Sequence, residues 1–171
     1  MNEINLSLWT GAVFSEDRKY RYALWRRFTP TGMRFMNALM LNPSTADEYQ
    51  NDPTVHRCLT RAAAKGYDGL IVTNMYALRS TDPKVLKENP EPRGAWNGIY
   101  ILAAAQLSEI ILCGWGNHAE EEWVERTLDM LADCKQTEKL RCLGRNQSGM
   151  AAHPLYFPYS AELKPYAYRP Q

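Results

Sequence analysis

Four short apolar runs punctuate the chain: NALML (37–41), GLIVT (69–73), EIILCG (109–114) and, more weakly, LRCLG (140–144). Each has the length and polar flanks of a buried strand. The stretches between them change period. Asp52-Pro53 reads as an acidic N-cap followed by proline at the first helical position, after which Val55, Cys58, Leu59 and Ala62 fall at i, i+3, i+4 and i+7. Gly66 closes that helix. Trp96, Ile99, Leu102, Ala103 and Gln106 predict a second helix over about 95–108 with that side buried, and Val124, Leu128 and Leu131 a third over about 119–133. Ahead of all these, GAVFSEDRKYRYALWRRF (11–28) sets β-formers on both sides of a polar SEDRK and predicts an antiparallel hairpin over about 10–30. Strands alternating with amphipathic helices imply right-handed crossovers and a parallel sheet covered on both faces. The expected fold is a single α/β domain spanning 1–171. It is a three-layer α/β/α sandwich, with a central, mainly parallel four-stranded sheet plus the N-terminal hairpin.

Composition adds bounds. With 45% hydrophobic and 23% charged residues, the 171-residue chain is neither disordered nor fibrous. No apolar run approaches the roughly 20 residues that cross a bilayer, and MNEINLSLWT lacks a basic region followed by an apolar one, so a cytoplasmic protein with no membrane partner is expected. Cys58, Cys113, Cys134 and Cys142 form no C-x-x-C pair and three sit in apolar segments, which predicts structural thiols and neither metal nor cofactor. Net charge is +1, but residues 18–34 hold Arg18, Lys19, Arg21, Arg26, Arg27 and Arg34 without an acid, leaving 14 of the 20 basic residues against all 19 acidic ones. Such a stripe is either a solvated hairpin face or a track for phosphates.

Candidate chemistry gathers just past the strand ends, where ligands of open α/β sheets bind. Proline cannot donate to a ladder and extends the residue before it, so Asn42-Pro43 ends the first strand with a carboxamide at the sheet rim. That amide either makes an Asx turn or orients a water or ring edge. Asn74 stands likewise at the end of GLIVT, and GWGNH (114–118) follows the third run. Ser44 and Asp47 fit a capping box and Asp52 a helix cap, yet either acid could serve as the general base that an amide cannot be. Arg79 suits a phosphate or a carboxylate, and Asp82-Pro83 reads as a further cap. Among the histidines, His56 falls on the outer side of its helix, His118 is a cap or a ligand contact, and His153 lies in a His-Pro loop after the fourth strand.

Taken together, LNPS, IVTN, IILCGWGNHA and HPLY resemble the uracil-DNA glycosylase superfamily. The resemblance implies that fold, with Asn42 handling water, Asn74 reading the base and His153 stabilising the departing base. More closely, LNPSTAD, DPT, NMYALRSTDP, GWG and HPLY, over about residues 10–160, resemble a bacterial and phage family, domain of unknown function 1643. The chain departs from the glycosylase pattern in four places: no glycine flanks Asn42-Pro43, Leu155 replaces the serine of His-Pro-Ser, about ten residues separate the last strand from His153, and no carboxylate occupies the water-activating position. Two expectations follow. One is an N-glycosidic hydrolase acting on a nucleobase, nucleotide or DNA, with Asn42, His153, Asp47 and Asp52 as catalytic candidates. Its substrate would be bound by Pro43, Ser44, Asn74, Tyr76, Arg79, Trp115, Asn117 and His118. The other is a catalytically inactive module that binds a nucleotide or a protein partner; the aromatic stretch 154–171 either docks on such a partner or covers the domain's own sheet.

Overall fold

A computed structural model describes residues 3–168, in which one mixed seven-stranded sheet is accompanied by four α-helices. In chain order the elements are β1 (Thr10–Phe14), β2 (Arg21–Arg27), β3 (Phe35–Met40), α1 (Pro53–Ala64), β4 (Gly69–Asn74), α2 (Lys84–Glu88), α3 (Asn97–Gln106), β5 (Ile110–Cys113), α4 (Glu121–Asp133), β6 (Leu140–Cys142) and β7 (Lys164–Pro165). The sheet runs β1-β2-β4-β3-β5-β6-β7. Its centre is the expected parallel set, since β3 pairs in parallel with both β4 and β5, and β5 with β6. The strand count differs from expectation because the hairpin does not stand apart: β2 joins antiparallel to β4, with Leu24 opposite Val72. A short β7 similarly covers β6. Both additions satisfy backbone groups that a four-stranded sheet would leave open at its edges.

Helices pack on the two faces. Val55, Cys58 and Ala62 of α1 bury against Met36, Ala38, Met40, Leu70, Val72 and Leu112. Ile101 and Ala105 of α3, with Val124, Leu128 and Leu131 of α4, bury against Leu39, Ile111 and Cys113. Helix α1 begins as expected: Asp52 Oδ1 accepts the Val55 N–H at 2.8 Å, and Gly66 lies beyond its end at φ +77°. Burial pushes the Cys58 thiol up to about 12, which leaves it an inert part of this core. Helix α3 turns a different side inward from the one expected. Trp96 and Ile99 are 46% and 53% exposed, whereas Asn97, Tyr100, Ile101, Ala104 and Ala105 are buried. No described helix is long and apolar enough to cross a membrane.

The basic stripe of residues 18–34 divides: Arg18, Lys19 and Arg34 are exposed, as a solvated face requires, whereas Arg21 and Arg26 are buried. Arg18 pairs with Glu48, Lys19 with Asp17 and Arg34 with Glu109. Arg27 donates to the carbonyls of Leu6, Thr29, Pro30 and Gly32. Arg26 is buried and clamps the segment after β3, donating to Asn51 Oδ1 and to the carbonyls of Asp47 and Gln50. Arg21 is buried as well, and holds the Ala46 carbonyl of the same segment. These bonds fold residues 43–52 back over the sheet, which brings Ser44 and Asp52 to the strand ends.

The described part of the C-terminal stretch covers its own domain. Arg61, fully buried on α1, donates to the carbonyls of Phe157, Pro158, Tyr159 and Ala161. Tyr166 packs edge-on against Trp115, and the Tyr168 hydroxyl donates to Asp129 at 2.6 Å. Residues 169–171 of the stretch lie outside the described residues.

Candidate functional site

Just beyond the carboxyl ends of β3, β4 and β5 lies a cavity of about 420 Å³. It is where an open α/β sheet leaves room for a ligand, because the strands stop there and the connections diverge to opposite faces. Three polar residues distant in the chain reach its wall: Asn42 after β3, Asn74 at the end of β4, and His153 in the loop that follows β6. Asp52, at the start of α1, joins them.

Each group arrives with part of its hydrogen-bonding capacity already committed. Asn42 donates its amide nitrogen to the Ser80 carbonyl at 2.8 Å and to the Pro43 carbonyl at 3.1 Å. Its carbonyl oxygen is thereby left as the end available to a ligand or water. Asn74 has the opposite polarity: Oδ1 accepts from Arg21 at 3.3 Å, and its Nδ2 donors are uncommitted among the described residues. Its backbone is steadied from α3, where the buried Asn97 side chain donates to the carbonyls of Asn74 and Met75 at 2.8 and 3.0 Å. Asp52 spends Oδ1 on the helix cap and keeps Oδ2.

His153 accepts the Leu155 N–H at Nδ1, 3.3 Å away, and its ring meets Tyr156 edge-on. An Nδ1 acceptor places the proton of the neutral ring on Nε2, which makes Nε2–H a donor. Burial holds this imidazole below its ordinary 6.5, against the smaller opposing pull of the Asp52 charge. The neutral ring is therefore favoured in the folded protein. Its contribution to stability is fully present above the unfolded value of 6.5 and is lost as pH falls from there through the folded value. An NMR titration of His153 is expected to give a midpoint below 6.5; a midpoint above it would contradict the burial argument.

Ser44, Trp115, Asn117 and His118, all expected from the sequence, also line the cavity. Asn117 Oδ1 accepts from Asn146 Nδ2 at 2.7 Å and Ser148 Oγ at 2.8 Å, joining two loops at the rim. Four expected residues lie off the wall. Pro43 is buried and serves through its carbonyl, which accepts the Ser80 N–H. No helix starts at Ser44, so the capping box does not form; Asp47 Oδ1 instead accepts the N–H groups of Tyr49 and Gln50 in an Asx turn. Tyr76 is buried in the core, its hydroxyl accepting the Glu120 N–H. Arg79 donates to the Arg18 carbonyl and sits over the Phe14 ring.

The wall also includes residues that sequence reasoning passed over, among them Arg21, Thr54, Ser80, Thr81, Asn146 and Tyr156. Ser80 and Thr81 stand beside Arg79 in the quoted run LRSTDP, so a motif signal existed for them. For Arg21 the signal was only its place in the basic stripe of residues 18–34, which reads as a solvated hairpin face or a phosphate track.

The profile of a family described as Protein of unknown function (DUF1643) matches residues 21–155, a span that includes Arg21, both strand-end asparagines and His153. No curated protein and no solved structure matches the chain.

Proposed function

The chain belongs to that family of unknown function, DUF1643, and from this premise we propose that its strand-end cavity receives a nucleobase and acts on the N-glycosidic bond that attaches it to a sugar. One observation carries the reading: Asn42, Asn74, His153 and Asp52 line a single cavity. The complementary polarity of the two amides supports it. Asn74 offers N–H donors to a ring carbonyl, while Asn42 offers an oxygen to a water. Asp52 Oδ2 takes a proton from that water as its oxygen adds to the anomeric carbon. The C–N bond breaks, its electron pair leaves with the base, and the His153 Nε2–H steadies the charge developing there. The Asp52 proton is then returned to the departing base. This supplies from the start of α1 the carboxylate absent beside Asn42. The three-layer sandwich of the uracil-DNA glycosylase type belongs to the same proposal, supported by α1 on one face of the sheet and α3 and α4 on the other.

Nucleosides, nucleotides and oligonucleotides carrying ordinary and modified bases test the reading. Chromatography is expected to show release of a free base from at least one, and loss of that release in Asn42→Ala and His153→Ala. A second reading, a binding module without turnover, is favoured by the commitment of Asp52 Oδ1 to the helix cap. It predicts that nucleotides raise the melting temperature while no base appears. Neither release nor a thermal shift across the panel would sink both.

A further inference from the structure

The three buried arginines of the sheet and α1 are treated differently by the fold. Arg26 and Arg61 spend their terminal nitrogens on main-chain carbonyls, all but that of Trp25 in loops, and hold segments of chain in place. Arg21 does not follow them. It is 2% exposed, lines the strand-end cavity, and makes only two hydrogen bonds, from Nη1 to the Ala46 carbonyl and from Nη2 to Asn74 Oδ1. Its buried Nε–H has no acceptor, and a second N–H on each terminal nitrogen is uncommitted. Among the described residues no carboxylate forms an ion pair with it. Burial lowers its pKa to about 10, so it remains a cation at neutral pH. A buried cation with no ion-pair partner is costly; the nearby charges of Asp52 and Asp47 offset only part of its desolvation, and this one is found on a cavity wall.

The rest of the wall leans the same way. Trp115, 1% exposed, buries its indole N–H without an acceptor, and Asn74 keeps both Nδ2 donors. Thr54, at the second position of the 12-residue helix α1, turns the positive end of that helix to the cavity. Asp52 is the acid on the wall, with Oδ2 left to accept a hydroxyl or ring N–H from the same ligand. We propose that the cavity binds a small ligand by a terminal phosphate monoester seated on the Arg21 guanidinium. The free donors outnumber the roughly four lone-pair sites of a carboxylate and suit the three terminal oxygens of a phosphate. An internal phosphodiester is disfavoured on two counts. A strand continuing in both directions does not reach a guanidinium this buried, and among the described residues Arg21 is the one Lys or Arg on the wall, whereas backbone tracking takes several. The phosphate site rests on Arg21 alone; that the ligand carries a base rests on the function proposed above.

Calorimetry on the full chain separates the two. The probes are nucleosides, the matching nucleoside 5′-monophosphates, ribose 5-phosphate and single-stranded oligonucleotides. Monophosphates are expected to bind about 10- to 100-fold more tightly than nucleosides, the range of charge-assisted hydrogen bonds. Arg21→Gln should erase that gain. Because Arg21 also holds Ala46 and the Asn74 amide, Thr54→Glu provides a variant that keeps both contacts. An acid in the first turn favours the helix, yet it sets a negative charge against the phosphate, so the fold should persist and the gain disappear. Equal affinity for nucleosides and monophosphates overturns the phosphate site and leaves the nucleobase reading standing. Equal affinity for ribose 5-phosphate and nucleotides does the reverse. Preference for oligonucleotides over monophosphates overturns the small-ligand proposal, and no binding by any probe overturns both.

Discussion

Phe35→Ala is expected to destabilise the protein by about 3–5 kcal/mol, the range for deleting a buried aromatic from a well-packed core. Phe35 is fully buried at the start of the central strand β3 and stands opposite Gly69 of β4. Its ring occupies the place a side chain on Gly69 would take, since a β-carbon there would lie 2.1 Å from Phe35 Cε1. Gly69→Ala alone should therefore cost about 1–3 kcal/mol by forcing the ring aside. In the Phe35→Ala background the added methyl enters vacated space and its cost should nearly vanish. Urea denaturation of both single variants and the double variant measures that coupling. Additive costs would show that the ring and the glycine do not share this space. Because the pair sits at the strand ends away from the cavity, which adjoins Met40 and Asn74, ligand affinity of the folded variants should not change.

Asp52→Asn is expected to lower the rate of base release by about 10²- to 10⁴-fold, the usual contribution of a general base. Asparagine is as good an N-cap as aspartate, so the bond to the Val55 N–H and the start of α1 are kept. The substitution thus separates the two uses of this carboxylate. Single-turnover kinetics with unchanged thermal stability is the expected pair of results. A rate within a few-fold of the parent would remove Asp52 from the chemistry and leave it as a cap.

Much of the frame was legible because it rests on local rules. The parallel strands β3 to β6 are short apolar runs, α1 carries both its acidic start and its glycine stop, and Asn42 and Asn74 are strand-end residues in the sequence itself. Given parallel strands, both amides had to emerge at one rim. The errors have equally specific causes. Asn97, Tyr100, Ile101, Ala104 and Ala105 form a regular i, i+3, i+4, i+7, i+8 stripe, but one that begins on a polar residue; reading for apolar positions shifted the phase to Trp96 and Ile99 and hid Asn97. Asp47 and Asp52 looked equivalent as caps, and only the path of residues 43–52 across the sheet sends one to the cavity and the other into a turn.

By itself, then, the chain determines which segments are strands and helices, where they stop, and that two carboxamides stand at the rim of a parallel sheet, because backbone sterics and hydrophobic period act over a few residues. Tertiary structure alone decides where the arginines of β2 go. Burying a guanidinium requires carbonyls or an anion to replace its water, and those come from a loop 21 to 25 residues away: Ala46 for Arg21, Asp47 and Gln50 for Arg26. No local pattern encodes that compensation, so Arg21, part of a stripe read as a solvated face or a phosphate track, is found inside with donors to spare.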